Sequence, residues 1–379
     1  MLNIDAALRT DIVVVGGYGH VGGSISAQLA EKFPGRVVAA GRSLERAEQF
    51  CLSHGGAIRP LRISADERPD MALLAEARLV VMCLDQTNTA FAEACLRAGI
   101  HYVDVSANGS FLTALEELNR QEEGPRATAV LSVGLAPGLT NMLAKQAMLD
   151  LEQTRAIDVA IMLGLGDQHG KAAIEWTVDS LNADYDVMIS GQQHVVSSMT
   201  DSRVTDFGKR LGRRSAYRFP FSDQQALPRT LGVPEASTRL CFDSRLSTRL
   251  LAALKRLGAL KLLKRPRWRE LAVAAFGKLR FGTEQFAVKV EASGEFDGAP
   301  AVAGYGISGV REAGFTADFA AAVAEALYAG GEWPEGVFHT EQLFDSALYE
   351  ERIEISRSGA AAGDPVYTIR GVEGWKEFR

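Results

Sequence analysis

The chain has 379 residues, enough for two or three domains. A hydrophobic share of 47%, a charged share of 23% and a mean hydropathy of -0.01 exclude collagen, coiled coil and wholesale disorder. A net charge of -6 argues against nucleic acid as a partner, and four cysteines without C-x-x-C spacing (Cys51, Cys83, Cys95, Cys241) exclude a zinc ribbon or a disulfide scaffold.

That cysteine usage fits a reducing, cytoplasmic setting. The opening MLNIDAALRT carries an acid and no apolar run, so no signal peptide is expected. Asp11–Val15 (DIVVV) reads as a strand of a parallel sheet, because it is apolar on both faces. Val21–Lys32 follows at helical spacing and stops at Phe33-Pro34-Gly35. Arg36–Ala40 is the next strand and Leu44–His54 the next helix. Leu79–Leu84, His101–Val105 and Thr128–Val133 read as further strands, with a helix at Ala90–Ala98 ended by Gly99. The uncharged stretch from Ala127 to Ala144 contains Pro137 and two glycines, so it reads as strand plus loop rather than a membrane span. Alternation of this kind predicts an α/β fold, a Rossmann-type doubly wound parallel sheet with ligands at the carboxyl ends of its strands. From about Thr154 the texture changes. Ala156–Leu163, Tyr185–Ile189, His194–Met199 and Phe286–Glu291 read as strands of a second, mixed or antiparallel sheet. Thr316–Tyr328 reads as a late helix with Thr316 as N-cap.

The strongest chemical signal follows the first strand. Gly17, Gly19 and Gly22 form G-x-G-x-x-G around Tyr18, His20 and Val21, and the motif opens a helix as it must. Gly17 permits the tight turn, Gly19 lets a pyrophosphate approach, and Gly22 lets the helix pack on the strand. N–H groups at the helix N-terminus would hold the phosphates. An NAD site places an acid at the end of the second strand for the ribose 2′-hydroxyl. Here that strand ends in Gly41, Arg42 and Ser43, with Arg46 one turn on. Two cations and a hydroxyl suit a 2′-phosphate, so NADP is expected over NAD.

These segments resemble a known family. The glycine turn, GRSLERAE, VVMCLDQTNTAFAEACLRAGIHYVDVS and VGLAPGLTNMLA together resemble the saccharopine dehydrogenase/reductase-like superfamily of NAD(P)-binding oxidoreductases. The resemblance covers about residues 10–150, with Val310–Phe344 as a return segment. It implies a dinucleotide-binding domain at 1–142, an interrupting substrate and dimerisation domain at 143–308, and a return at 309–379 that packs on the first. It implies a homodimer, and hydride transfer to or from an imine or secondary amine of an amino-acid-like small molecule. It also places Leu84, Asp85 and Gln86 beside the cofactor riboses, and Asp104, Ser106 and Ala107 near the nicotinamide. Gly134, Pro137 and Gly138 match the family's loop toward substrate, before Thr140 and Asn141. Asp104 is a candidate catalytic acid, with a turn acid as the alternative. A C=C or C=O reductase on the same scaffold, or a non-catalytic NADP-binding sensor or scaffold, remains open.

The middle of the chain offers Gly164-Leu165-Gly166-Asp167-Gln168-His169-Gly170-Lys171 between a strand and a helix. His169 is a candidate proton carrier near neutral pH, and Lys171 a candidate for binding a substrate carboxylate. His20, His54, His101, His194 and His339 lack ligand-like spacing, and no metal or G-x-S-x-G pattern occurs, so no metal is expected. Arg245 to Arg280 holds eleven Lys/Arg and one acid, with Leu246, Leu250, Leu254 and Leu257 at helical spacing. The expectation is a helix packed on its own sheet through these leucines. Peripheral contact with an anionic membrane is the alternative.

Overall fold

Why short apolar runs alternate with helices becomes plain in the computed structural model, which describes residues 9–66, 68–167, 170–278, 282–346, 348 and 369–372. The chain divides into two units, residues 1–139 with 313–349 and residues 140–312 with 350–379. Strands and helices are numbered along the chain.

The first unit is built on seven strands: β1 (Asp11–Val15), β2 (Val37–Gly41), β3 (Ile58–Arg62), β4 (Ala77–Met82), β5 (His101–Asp104), β6 (Thr128–Leu131) and β15 (Gly336–His339). Their order is β15-β6-β5-β4-β1-β2-β3, and every pairing is parallel. The winding direction reverses between β1 and β4, which opens the ligand crevice at their carboxyl ends. Ile12, Val14, Val15, Val37, Ala39, Val80 and Val81 are buried, as a sheet covered on both faces requires. Helices α1 (His20–Lys32), α2 (Leu44–Leu52), α3 (Ala90–Arg97) and α4 (Gly109–Glu116) connect the strands. The strand expected at Leu79–Leu84 runs two residues earlier, which releases Cys83–Gln86 as a loop.

The second unit holds a seven-stranded mixed sheet and a separate hairpin. Helix α5 (Thr140–Leu149) leads into β7 (Gln153–Leu163), and α6 (Lys171–Ser180) follows. Strands β8 (Asp184–Ile189) and β9 (Gln192–Ser197) pair with each other in a two-stranded sheet, where the sequence reading had put them in the large one. Then come β10 (Arg203–Asp206), β11 (Arg213–Arg218), α7 (Asp223–Leu231), β12 (Ala236–Phe242), α8 (Arg245–Arg256) and α9 (Pro266–Lys278). The long strands β13 (Gln285–Phe296) and β14 (Ala299–Val310) form an antiparallel pair along twelve residues each. The sheet order is β10-β11-β12-β7-β13-β14-β16, with only β7 and β12 parallel. Its last strand, β16 (Ile369–Val372), pairs with β14, whereas the sequence reading returned all of 309–379 to the nucleotide domain.

Two helices differ from expectation. Helix α10 spans Glu312–Ala329, so it begins four residues before Thr316. The Asp167 carboxylate accepts the Glu312 N–H at 2.7 Å, and Thr316 is not an N-cap; its hydroxyl accepts the Leu135 N–H at 3.2 Å. Helix α8 turns its leucines the other way. Leu246, Leu250 and Leu257 are 77%, 56% and 82% exposed, and Leu254 is half-buried. The face that packs inward carries Thr248 and Ala252; the Thr248 hydroxyl accepts the Phe242 N–H at the end of β12 at 2.9 Å and donates to Ser244 O at 3.1 Å. No helix among the described residues is long and apolar enough to cross a membrane.

Candidate nucleotide-binding site

The glycine turn is shaped by the atoms around it. Gly16, with φ of +84°, donates its N–H to Ala40 O at 2.8 Å, and Gly19 N–H closes back on Gly16 O at 2.8 Å. A Cβ on Gly17 would meet Val14 O at 2.5 Å, and one on Gly22 would meet Gly16 O at 2.3 Å, so the fold itself demands both glycines. Gly19 is different. A Cβ there would meet only Gly16 O, at 3.1 Å, and would otherwise fill the open space in front of the turn. Helix α1 has no side-chain cap and no acid in its first turn, and its first residue, His20, is exposed. Its N-terminal N–H groups therefore face that space with the positive end of the helix dipole. This cradle fits a pyrophosphate, because a group with anionic oxygens is what free N–H donors and a missing Cβ admit.

Tyr18 ties the turn to the end of β2. Its hydroxyl accepts the Ser43 N–H at 3.0 Å and passes so close over Gly41 that a Cβ there would meet it at 2.4 Å. The Arg46 guanidinium lies 5.3 Å from the Tyr18 ring centroid. Ser43 caps α2 by accepting the Arg46 N–H at 3.3 Å, which leaves its O–H to donate. Arg42 is exposed and 3.8 Å from the Asp66 carboxylate, a pairing of two solvated groups that is easily exchanged. Gly41, Ser43 and Arg46 thus gather beside Tyr18, with Arg42 at the same strand end. Asp66 escaped sequence reasoning because it arrives from the loop after β3.

The loops after β4 and β5 form the other half of the site. Leu84 is exposed and lies against Gly16, where a Cβ would meet its side chain at 3.0 Å. Asp85 is exposed, whereas Gln86 is buried. The Gln86 amide donates to the Tyr102 hydroxyl at 2.8 Å and to Asp104 Oδ2 at 3.2 Å. Tyr102 in turn donates to the same Oδ2 at 2.9 Å, and the Ser106 N–H donates to Oδ1 at 2.8 Å. Asp104 is fully buried, and that desolvation pushes its carboxyl up to about 7. The hydrogen bonds from Ser106, Tyr102 and Gln86 pull the other way, and the charge of Asp85 adds to the rise. Gln86 Oε1 is buried without a hydrogen-bond partner. Asp104 is a turn acid, through Ser106, and its burial favours the protonated form. Ala107 is half-buried just beyond Ser106.

A further polar chain was not legible beforehand. Ser132, at the carboxyl end of β6 with φ of +57°, shares a 2.7 Å hydrogen bond with His339 Nδ1, and His339 Nε2 contacts Glu116 Oε1 at 2.9 Å. Thr340 donates to Ser132 O at 2.8 Å. These contacts fix the start of the loop that carries Gly134, the cis Ala136–Pro137 bond and Gly138. A Cβ on Gly134 would sit 3.3 Å from Thr316, and one on Gly138 would sit 3.0 Å from Ser132 O. Ser132 and His339 lie more than two hundred residues apart, so no local pattern joins them.

The residues assigned to substrate in the second unit fare less evenly. His169 lies outside the described residues. Lys171 is exposed at the start of α6, 3.7 Å from Glu175 one turn on. Two glycines of that loop have a packing reason: a Cβ on Gly164 would meet Thr283 O at 2.1 Å, and one on Gly166 would meet Gly282 O at 2.9 Å, whereas Gly170 faces open space.

A reversal in a parallel sheet, with a glycine turn opening a helix beside it, defines a Rossmann-type dinucleotide-binding domain. Residues 12–156 match the family model of the saccharopine dehydrogenase NADP binding domain. No curated protein matches the chain. Among solved structures, saccharopine dehydrogenase (L-Glu forming) from Saccharomyces cerevisiae superposes with a TM-score of 0.65 at 12% identity, over 95% of this chain and 99% of that one. The DAP dehydrogenase of C. glutamicum in complex with DAP gives 0.42 at 12% identity, over 93% and 100%. The amine dehydrogenase of Mycobacterium smegmatis gives 0.44 at 11% identity, over 88% and 96%. Residues 12–156 are therefore similar to the nucleotide-binding domain of that family, within a fold shared with the yeast enzyme.

Proposed function

We propose that the protein is an NADP-dependent oxidoreductase acting on an imine or secondary amine of an amino-acid-like substrate. The observation that carries the reading is the glycine cradle joined through Tyr18 to a strand end bearing Arg42, Ser43 and Arg46. The α1 N–H groups would bind the pyrophosphate, and the two arginines with Ser43 the 2′-phosphate. Gln86 and Ser106, both held by Asp104, would shape the floor of the site at the nicotinamide end. When bound, the nicotinamide supplies or accepts the hydride. Asp104 can keep or release one proton near neutral pH, which is what a C=N reduction requires of the protein. The yeast saccharopine dehydrogenase that shares the fold is L-Glu forming by its name, which supports an amino-acid-like substrate.

The test is NADPH consumption, followed by absorbance, in mixtures of amines with keto acids, beside calorimetric titration of NADPH and NADH. Tight NADPH binding with turnover in such mixtures is expected. Binding without turnover in any mixture would leave a nucleotide sensor, and failure to bind either nucleotide would end both readings.

A further inference from the structure

The basic segment of the second unit bears its apolar residues outward. On α8 the buried positions are Thr248 and Ala252, with Leu251 and Lys255 half-buried beside them. At 100° per residue, Leu246, Leu250, Ala253 and Leu257 fall on the opposite side, and the three leucines are exposed. Arg245, Arg249 and Arg256 flank that stripe and are exposed too. After a short turn, α9 repeats the arrangement: Trp268 and Leu271 are 49% and 60% exposed, next to exposed Arg265 and Arg267. Folding has already used the other faces. Lys255 Nζ bonds the Asn182 side chain at 3.0 Å, and Arg269 forms a two-pronged pair with Asp179 at 2.6 and 2.7 Å. What remains outside is apolar and, but for the exposed Glu270, positive, on a chain whose net charge is -6.

We infer that α8 and α9 form a docking surface for an anionic lipid bilayer. Large apolar side chains left in water on a helix face, rimmed by arginines, match the chemistry of a membrane interface, where leucines enter the acyl boundary and arginines meet headgroup phosphates. An exposed tryptophan within that rim suits the same layer. Charge decides between occupants. A two-fold contact between copies would set each basic patch against itself, whereas an anionic surface complements it. The two helices lie on the surface; neither is a spanning segment.

The experiment is sedimentation of the full chain with vesicles of phosphatidylcholine, with and without phosphatidylserine. Binding to the anionic vesicles that weakens at high salt is expected, with far less binding to the neutral ones. Each unit of charge near such a surface changes partitioning roughly fivefold, so Arg249→Glu with Arg256→Glu, a change of four units, should reduce binding by roughly two to three orders of magnitude. Leu250→Asp with Leu257→Asp should abolish it and leave the melting temperature unchanged, since both side chains are exposed. Tryptophan emission should shift to the blue on anionic vesicles, and Trp268→Phe should remove the shift while binding persists. No binding to anionic vesicles overturns the inference, as does binding that ignores the leucine pair. A dimer that the leucine pair dissociates, without vesicle binding, would reassign the surface to a contact between copies.

Discussion

Gly19 separates function from folding within a single turn. Gly17 and Gly22 are demanded by carbonyls of their own chain, but the space in front of Gly19 is left for a ligand. Gly19→Val should therefore abolish NADPH binding in calorimetry while the melting temperature stays near wild type; a variant that binds normally would place the site elsewhere. Arg42 is solvated and loosely matched to Asp66, so its truncation should weaken NADPH by about tenfold, the low end for a charge-assisted bond, and leave NADH unchanged. Removing its competitor by Asp66→Ala should act in the opposite direction in the same titration. Asp104 makes a prediction about pH. Its folded-state carboxyl sits at about 7, above the ordinary value of about 4, so the native chain holds the extra proton between those limits. Stability from this group therefore falls as pH rises from about 4 to about 7 and is flat above. Asp104→Asn should remove that part of the slope in urea midpoints measured across the window; an identical slope in the variant would show that Asp104 is not the titrating group. The G-x-G-x-x-G signature and the Arg42–Arg46 segment were legible because each is contiguous. Tyr18 bridging to Ser43, Gln86 turning onto Asp104, and Ser132 meeting His339 were not, because each joins different strand ends.

Element by element, legibility followed burial. β1, β2 and β4 read clearly because both faces are covered and their residues are uniformly apolar. β3 did not. Its sequence IRPLR has one buried residue, Ile58, and its Pro60 is tolerated because the strand is at the sheet edge. Helix α8 shows the limit of periodicity most clearly. The spacing of Leu246, Leu250 and Leu257 correctly marks one face, but a period carries no information about which face the fold will cover. Here the small residues Thr248 and Ala252 pack inward, because they allow close approach, and the leucines stay out. Thermal melts should reproduce this inversion. Leu250→Ala should cost less than about 0.5 kcal/mol, as surface changes do. Ala252→Asp should cost about 3 kcal/mol or more by burying an unpaired charge. Equal costs would mean that the leucine face is covered after all.

At the scale of the molecule, the nucleotide-binding unit is discontinuous in sequence. Its edge strand β15 and most of α10, with Phe319, Ala320, Val323, Ala324 and Leu327 buried, come from beyond the second unit. A fragment ending at Leu139 should therefore lack cooperative thermal unfolding by circular dichroism, whereas the same fragment joined by a flexible linker to residues 313–349 should regain it and bind NADPH. Cooperative unfolding of the short fragment would show that the returning segment is dispensable. The same arrangement bears on biosynthesis. β6 pairs with β15 along Thr128–Leu131, and the two are separated by about 200 residues. A ribosome adding ~5–20 residues per second needs about 10–40 s to deliver the partner. Through that interval the nascent sheet presents an open edge of unpaired N–H and C=O groups, beside the apolar Ala129, Val130 and Leu131, to whatever else is in the cell. Shielding by a chaperone would matter most then, and a pause in translation between β6 and β15 would lengthen the exposure, so codon choice across the interrupting unit should affect yield even where it leaves the protein unchanged.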